Sequence, residues 1–183
     1  MKLRHPFEWL PMVEQTHAFA LLFVLTMVVM FALQVLGGPL ITDAAPSGIV
    51  SFELAGTISR AQRMVESWGP VGRIYAGLNL GLDFLFLVAY PLCIGLGCVM
   101  AARAFSARLA FLSPVGVALA WGQWLAGLLD AIENCALIQL LLGSQNASLP
   151  VVAQWCAIPK FLIVGLGILY VLLGALAARV VRH

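Results

Sequence analysis

Four stretches of this chain stay apolar for about the thickness of a bilayer core, and nothing constrains the fold more. They run over 18–36, 78–102, 115–142 and 161–178, each near or above the roughly 18 residues at which a hydrophobic segment reads as a spanning helix. Composition points the same way: 62% of the 183 residues are hydrophobic and 10% are charged, where soluble domains carry about 25% charged residues. The expected fold is all-α, a polytopic membrane protein built as a four-transmembrane-helix bundle in one membrane domain, 1–183.

Lys2 and Arg4 precede the first run as they would precede a secretory signal. That run is longer than a signal core of about 7–15 residues, Glu8 and Glu14 interrupt the basic lead-in, and no small-x-small cleavage pattern follows. It reads as an anchor that stays. Basic residues then set the topology. Lys2 and Arg4 lie before the first helix, Arg103 and Arg108 between the second and third, and Arg179 and Arg182 after the fourth. After the first helix, Arg60, Arg63 and Arg73 are diluted by Asp43, Glu53 and Glu66. The positive-inside rule places both termini in the cytoplasm. No basic cluster suited to nucleic acid is present.

Breakers and periodicity give the boundaries. The first transmembrane helix spans about 18–36 and ends at Gly37-Gly38-Pro39. Leu54, Ile58, Ala61, Val65 and Trp68 then recur at spacings of four and three, with Glu53, Arg60, Arg63 and Ser67 elsewhere on the wheel. This predicts an amphipathic helix over about 51–68 on the outer side, stopped by Gly69-Pro70. Its mixed charges favour packing across the outer end of the bundle over binding anionic lipid. The second span is expected at about 76–102 and the third at about 114–142, with Pro114 in its first turn. The fourth spans about 159–178, opened by Pro159. The Asn146-Ala147-Ser148 triplet is a formal glycosylation sequon, a pattern short enough to arise by chance.

Polar residues inside the spans carry the functional information, because a charged group at a helix centre is unfavourable by about 2.5–3.5 kcal/mol on translocon scales. Helix two carries Asn79 and Asp83 on one face, with Tyr90 further along it. Helix three carries Gln123, Asp130, Glu133 and Asn134, the last three again on one face, and Lys160 opens helix four. At the helical rise, Asp83 lies about 8–12 Å in from the outer side and Asp130 and Glu133 about 13–18 Å, so the depths are close enough for one cluster. Three acids facing one ammonium in a low-dielectric space cannot all be ionised, so at least one is expected to hold a proton. The candidate ligand-binding set is therefore Asp83, Asp130, Glu133, Asn134, Asn79, Lys160 and Tyr90. The competing reading is a buried polar network that only fixes helix register. Trp121, Trp124, Phe84 and Phe86 read as packing or lipid-facing residues.

Several chemistries are disfavoured. Quinone-linked disulfide formation needs reactive cysteine pairs near outer loops, whereas Cys93 and Cys98 fall toward the cytoplasmic side of helix two, Cys135 inside helix three, and Cys156 alone outside. Haem would need inward histidines, yet His5, His17 and His183 lie at or beyond the cytoplasmic ends. No set has zinc-ligand spacing, and neither a phosphate-binding glycine loop nor a serine elbow occurs. No metal and no cofactor are expected.

Phe52-Glu53-Leu54-Ala55-Gly56-Thr57 leading to Trp68-Gly69, Leu82-Asp83-Phe84-Leu85-Phe86 with Tyr90, and Leu129-Asp130-Ala131-Ile132-Glu133-Asn134 are distinctive. With them the chain resembles, over most of its length, a family of small bacterial four-helix integral membrane proteins; that resemblance implies the fold and no activity. A fainter similarity, through Asp83 and Pro91, is to the four-helix sterol isomerase and sigma-2 receptor group, whose pockets use intramembrane acids and aromatics. No residue role is carried across from either. The leading expectation is a binding protein for a small amphipathic or cationic ligand, or for a membrane lipid. A proton-coupled transporter, as a homo-oligomer, and an accessory subunit of a partner membrane protein are the alternatives, and an acid/base lipid enzyme ranks below them.

Overall fold

The computed structural model describes residues 4–106 and 109–180, and every regular element among them is helical. Helix α1 spans Met12–Gly37 and runs into a 3-10 turn, Gly38–Leu40. A short α2, Ile49–Glu53, precedes the long α3, Ile58–Ser106. After a second 3-10 turn, Ala110–Leu112, come α4, Ser113–Leu141, and α5, Ser148–Val180. Four of these helices, α1, α3, α4 and α5, are long and apolar enough to cross a membrane. Of their most apolar 18-residue stretches, the least apolar is that of α4, the helix that carries Gln123, Asp130, Glu133 and Asn134. Lys2, Arg108, Arg182 and His183, used above for topology and haem chemistry, lie outside the described residues.

Local chemistry explains the element ends, including those that differ from the periodic pattern. Where the sequence suggests one outer helix over 51–68, the chain makes α2 and then a new start at Ile58, with Gly56 at φ 66° between them. Gly69 then breaks α3, at φ 60° and ψ −171°. Only glycine takes that conformation without strain, and the proline that follows already disfavours helical geometry before it. The helix over 58–68 thus loses a backbone donor at its end, and Arg73 Nε supplies one, donating to Val65 O at 3.1 Å.

Helix α1 begins six residues before its apolar run, where Gln15 N donates to Pro11 O at 3.0 Å. Helix α4 ends in a Schellman turn: Gly143, at φ 94°, donates its N–H to Leu140 O and Ser144 donates to Gln139 O. Helix α5 begins at Ser148, well before Pro159, which lies inside it. Its start is set by Asn146, whose Oδ1 accepts from Ser148 N at 3.0 Å and Ser148 Oγ at 2.8 Å. Pro150 fills a first-turn position, where a missing N–H costs nothing.

The chain divides into two compact units. The first comprises Met1–Thr26, Val88–Gly127 and Lys160–His183. Its core holds Phe7, Leu96, Val99, Phe105, Ala120 and Tyr170. Close approach there depends on small residues: a Cβ on Gly174 would meet Ala101 Cβ at 2.3 Å. Tyr170 Oη donates to Leu112 O at 2.8 Å, tying α5 to the turn that starts α4.

The second unit comprises Met27–Leu87 and Leu128–Pro159. Phe52, Trp68, Leu40, Leu80, Leu137 and Leu140 form its centre, interleaved with alanines. Phe52 and Trp68 meet edge to face with ring centroids 5.2 Å apart, and Trp68 Nε1 donates to Leu40 O at 2.8 Å. Ala61, Val65 and Trp68 are buried while Arg60, Arg63 and Glu66 are exposed, so the helix over 58–68 turns one side into this core.

Candidate functional site

The acids foreseen from the sequence fall together in the second unit. Asp83 and Asn79 sit on α3, one turn apart, and Asp130, Glu133 and Asn134 on α4. The break at Gly69 leaves α3 regular from there to its end, so Asn79 and Asp83 keep the register that the spacing implied. Asn134 Nδ2 donates to Asp83 Oδ2 at 2.6 Å, a direct link between the two helices. Burial is deep for groups of this kind: Glu133 is 0% exposed, Asn134 2% and Asp130 4%, while Asp83 is half-buried. Taking a carboxylate out of water costs several kcal/mol even after relaxation, and each of Asp83, Asp130 and Glu133 has an interaction partner in the protein.

The remaining foreseen residues are Asn79, Tyr90 and Lys160. Asn79 is 4% exposed and donates its amide to Leu33 O of α1 at 2.8 Å. Its hydrogen bond is therefore spent on helix register. Tyr90 and Lys160 belong to the first unit. Both are buried, and Lys160, well inside α5 rather than at its start, holds Nζ 4.8 Å from the centroid of the Phe161 ring. All four cysteines are thiols, and Cys98 Sγ approaches Gly167 O at 3.7 Å.

Two features of the first unit lie outside the candidate binding set. Gln123 is 0% exposed and donates to Ile163 O at 3.1 Å. Gln15, 3% exposed, donates through Nε2 to Leu10 O at 2.7 Å and Phe7 O at 3.3 Å, while its Oε1 accepts from Arg103. Beside Arg103 opens a cavity of about 500 Å³. A glutamine among the residues just before an apolar run was the available signal, and only the fold brings it to Arg103.

The units also differ in charge. Among the described residues, the first holds Arg4, Arg103, Lys160 and Arg179 against Glu8 and Glu14. The second holds Arg60, Arg63 and Arg73 against Asp43, Glu53, Glu66, Asp83, Asp130 and Glu133. The starts of α1 and α4 and the ends of α3 and α5 fall in the basic unit, and the opposite ends in the acidic one. No protein-family model, curated protein or solved structure matches the chain, so the site is interpreted from its own geometry.

Proposed function

We propose that this chain is a multi-pass protein of the bacterial inner membrane, with both termini in the cytoplasm, that binds a small cationic or amphipathic ligand through a buried acidic site. The observation that carries the reading is the burial of Asp130 and Glu133 on α4, beside the Asp83–Asn134 link, in helices apolar enough to span a bilayer. Ionisable residues at membrane depth are rare and expensive, and their usual reason is a ligand, an ion or a proton. Excess negative charge in a low-dielectric site attracts a cation, and apolar surroundings suit one attached to a hydrophobic body.

Asp130 and Glu133 would supply the charge, and Asp83, held by Asn134, would present a third carboxylate. The charge division supports the orientation, with the basic residues marking the cytoplasmic ends of the helices. The segment over 58–68 would then cover the outer end, its exposed Arg60, Arg63 and Glu66 facing water.

The test uses purified protein in phosphatidylcholine nanodiscs with dodecyltrimethylammonium as the probe and a neutral alkyl maltoside as control. The ammonium should raise the thermal unfolding temperature of the wild type, and Glu133→Gln and Asp130→Asn should abolish the rise. An equal response to ammonium and maltoside, or a rise that survives both substitutions, refutes the reading.

A further inference from the structure

The cavity of about 500 Å³ lies entirely in the first unit, whereas the acids assigned above belong to the second, and its lining includes His5, Arg103, Ser113, Val99, Pro114 and Val117. Arg103 is the key group. Its guanidinium is held by Gln15 Oε1, and the two bonds that Gln15 Nε2 makes to Phe7 O and Leu10 O fix that amide so that its oxygen faces the arginine. The partner is neutral and leaves the positive charge uncancelled. Glu8, which also lines the cavity, makes its ion pair with Arg4 at 3.8 Å. His5 Nδ1 accepts from Phe7 N at 3.2 Å, so the neutral ring carries its proton on Nε2 and keeps a donor. Ser106, by contrast, uses its hydroxyl on Arg103 O at 2.7 Å. Arg103, His5 and Ser113 therefore offer donors beside a wall of Val99, Pro114 and Val117.

We propose that this cavity binds the phosphate group of an anionic ligand, with Arg103 as its cationic anchor. A planar guanidinium fork matches phosphate oxygens in pairs. The space is within the range of pockets for whole small ligands, about 300–1,000 Å³, and the apolar wall has no use for an inorganic ion. An acidic phospholipid therefore fits better than free phosphate. Basic pockets between helices on the cytoplasmic side of membrane proteins take such headgroups, and this unit carries the excess of basic residues.

The experiment compares phosphatidylglycerol with phosphatidylcholine retained by the full chain in native mass spectrometry. In parallel it measures thermal stabilisation of delipidated protein by inorganic phosphate against chloride. Phosphatidylglycerol should be retained about fivefold over phosphatidylcholine, the preference expected of one basic side chain at an anionic headgroup. Arg103→Gln should remove that preference and Arg103→Lys should keep part of it. Stabilisation by phosphate without lipid preference, lost in Arg103→Gln, assigns the same site to the free ion. Equal retention of both lipids together with no phosphate effect overturns the proposal, as does a preference that persists in Arg103→Gln. Should Arg103→Gln fail to fold, the wild-type preference must weaken as salt rises, and a salt-independent preference overturns the proposal equally.

Discussion

Breaking the Asp83–Asn134 bond should lower stability by an amount that separates it from ordinary packing. The donor and acceptor are 2.6 Å apart, at the short limit of N–H to carboxylate contacts, and Asn134 is 2% exposed. Hydrogen bonds to charged groups in soluble proteins contribute about 1.5–3 kcal/mol. Interhelical polar bonds in membranes average only about 0.6 kcal/mol, with a maximum near 1.7, because the unfolded helices also find partners. Short distance and deep burial place this bond in the upper part of the membrane range, at ~1–1.5 kcal/mol of coupling.

The assay is a double-mutant cycle by reversible unfolding in mixed micelles, using Asp83→Ala, Asn134→Leu and the double variant. Leucine keeps the branched shape of asparagine without its polar atoms and leaves no void, and the strain of its larger volume is common to both variants that carry it and cancels in the cycle. Single variants should each destabilise, and the double variant should fall short of their sum by the coupling energy. Additivity to within ~0.3–0.5 kcal/mol, the scatter of independent sites, refutes the claim that the two side chains act as a pair.

Trp68→Phe keeps a ring against Phe52 but removes the buried bond to Leu40 O, and should cost ~1–3 kcal/mol in the same unfolding assay; unchanged stability contradicts it. Gly174→Ala places a methyl 2.3 Å from Ala101 Cβ and 2.9 Å from its Cα, so α5 and α3 must part locally, with a loss of ~1–3 kcal/mol; a neutral result would mean that this contact is slack. His5 titrates below its ordinary 6.5 because burial disfavours the imidazolium and Arg103 repels it, with Glu8 opposing. The folded protein therefore binds that proton less readily than the unfolded chain. The stability His5 contributes is present above pH 6.5 and is lost as pH falls through the lowered value. NMR titration in phosphatidylcholine without phosphate should show the depressed midpoint, and Arg103→Gln should raise it only partly, since burial is the larger cause; a wild-type midpoint at or above 6.5 contradicts this. For topology, in a cysteine-free background an impermeant maleimide should label Ser47→Cys from outside the inner membrane and Ser106→Cys only after that membrane is opened. The reverse pattern inverts the orientation.

Helix content was legible because apolar runs of this length leave little choice, and α4 follows its run closely from Ser113 to Leu141. Helix α1 begins earlier than its run because Glu14, Gln15, Thr16 and His17 interrupt hydrophobicity without interrupting backbone bonding. Helix α5 begins earlier because a proline is equally compatible with a first turn and with an interior site, and only the Asn146 cap, hidden in what looks like a sequon, distinguishes them. Asp83 and Asn134 could be brought together on paper by helical faces and depth alone. The Gln15–Arg103 contact could not, because it joins residues 88 positions apart in the sequence through a loop carbonyl geometry with no periodic signature.

The way polar side chains are satisfied bears on what the acids are for. Asn79, Gln123, Trp68 and Tyr170 each donate to a backbone carbonyl on another element: Leu33, Ile163, Leu40 and Leu112. A helical carbonyl already bonded to its own helix keeps a second lone pair, so any such residue can receive the bond and no second polar side chain is required. Register can thus be fixed with neutral donors, as it is at Asn79, Gln123, Trp68 and Tyr170. An ionised carboxylate only accepts and gains nothing from a carbonyl. An acid that stays ionised needs a dedicated donor, as Asp83 has in Asn134, and carries a desolvation cost that an amide avoids. Three acids on α3 and α4 are therefore an expensive way to align two helices that neutral donors could align, and that difference favours a charge presented to a ligand over a charge used as a pin.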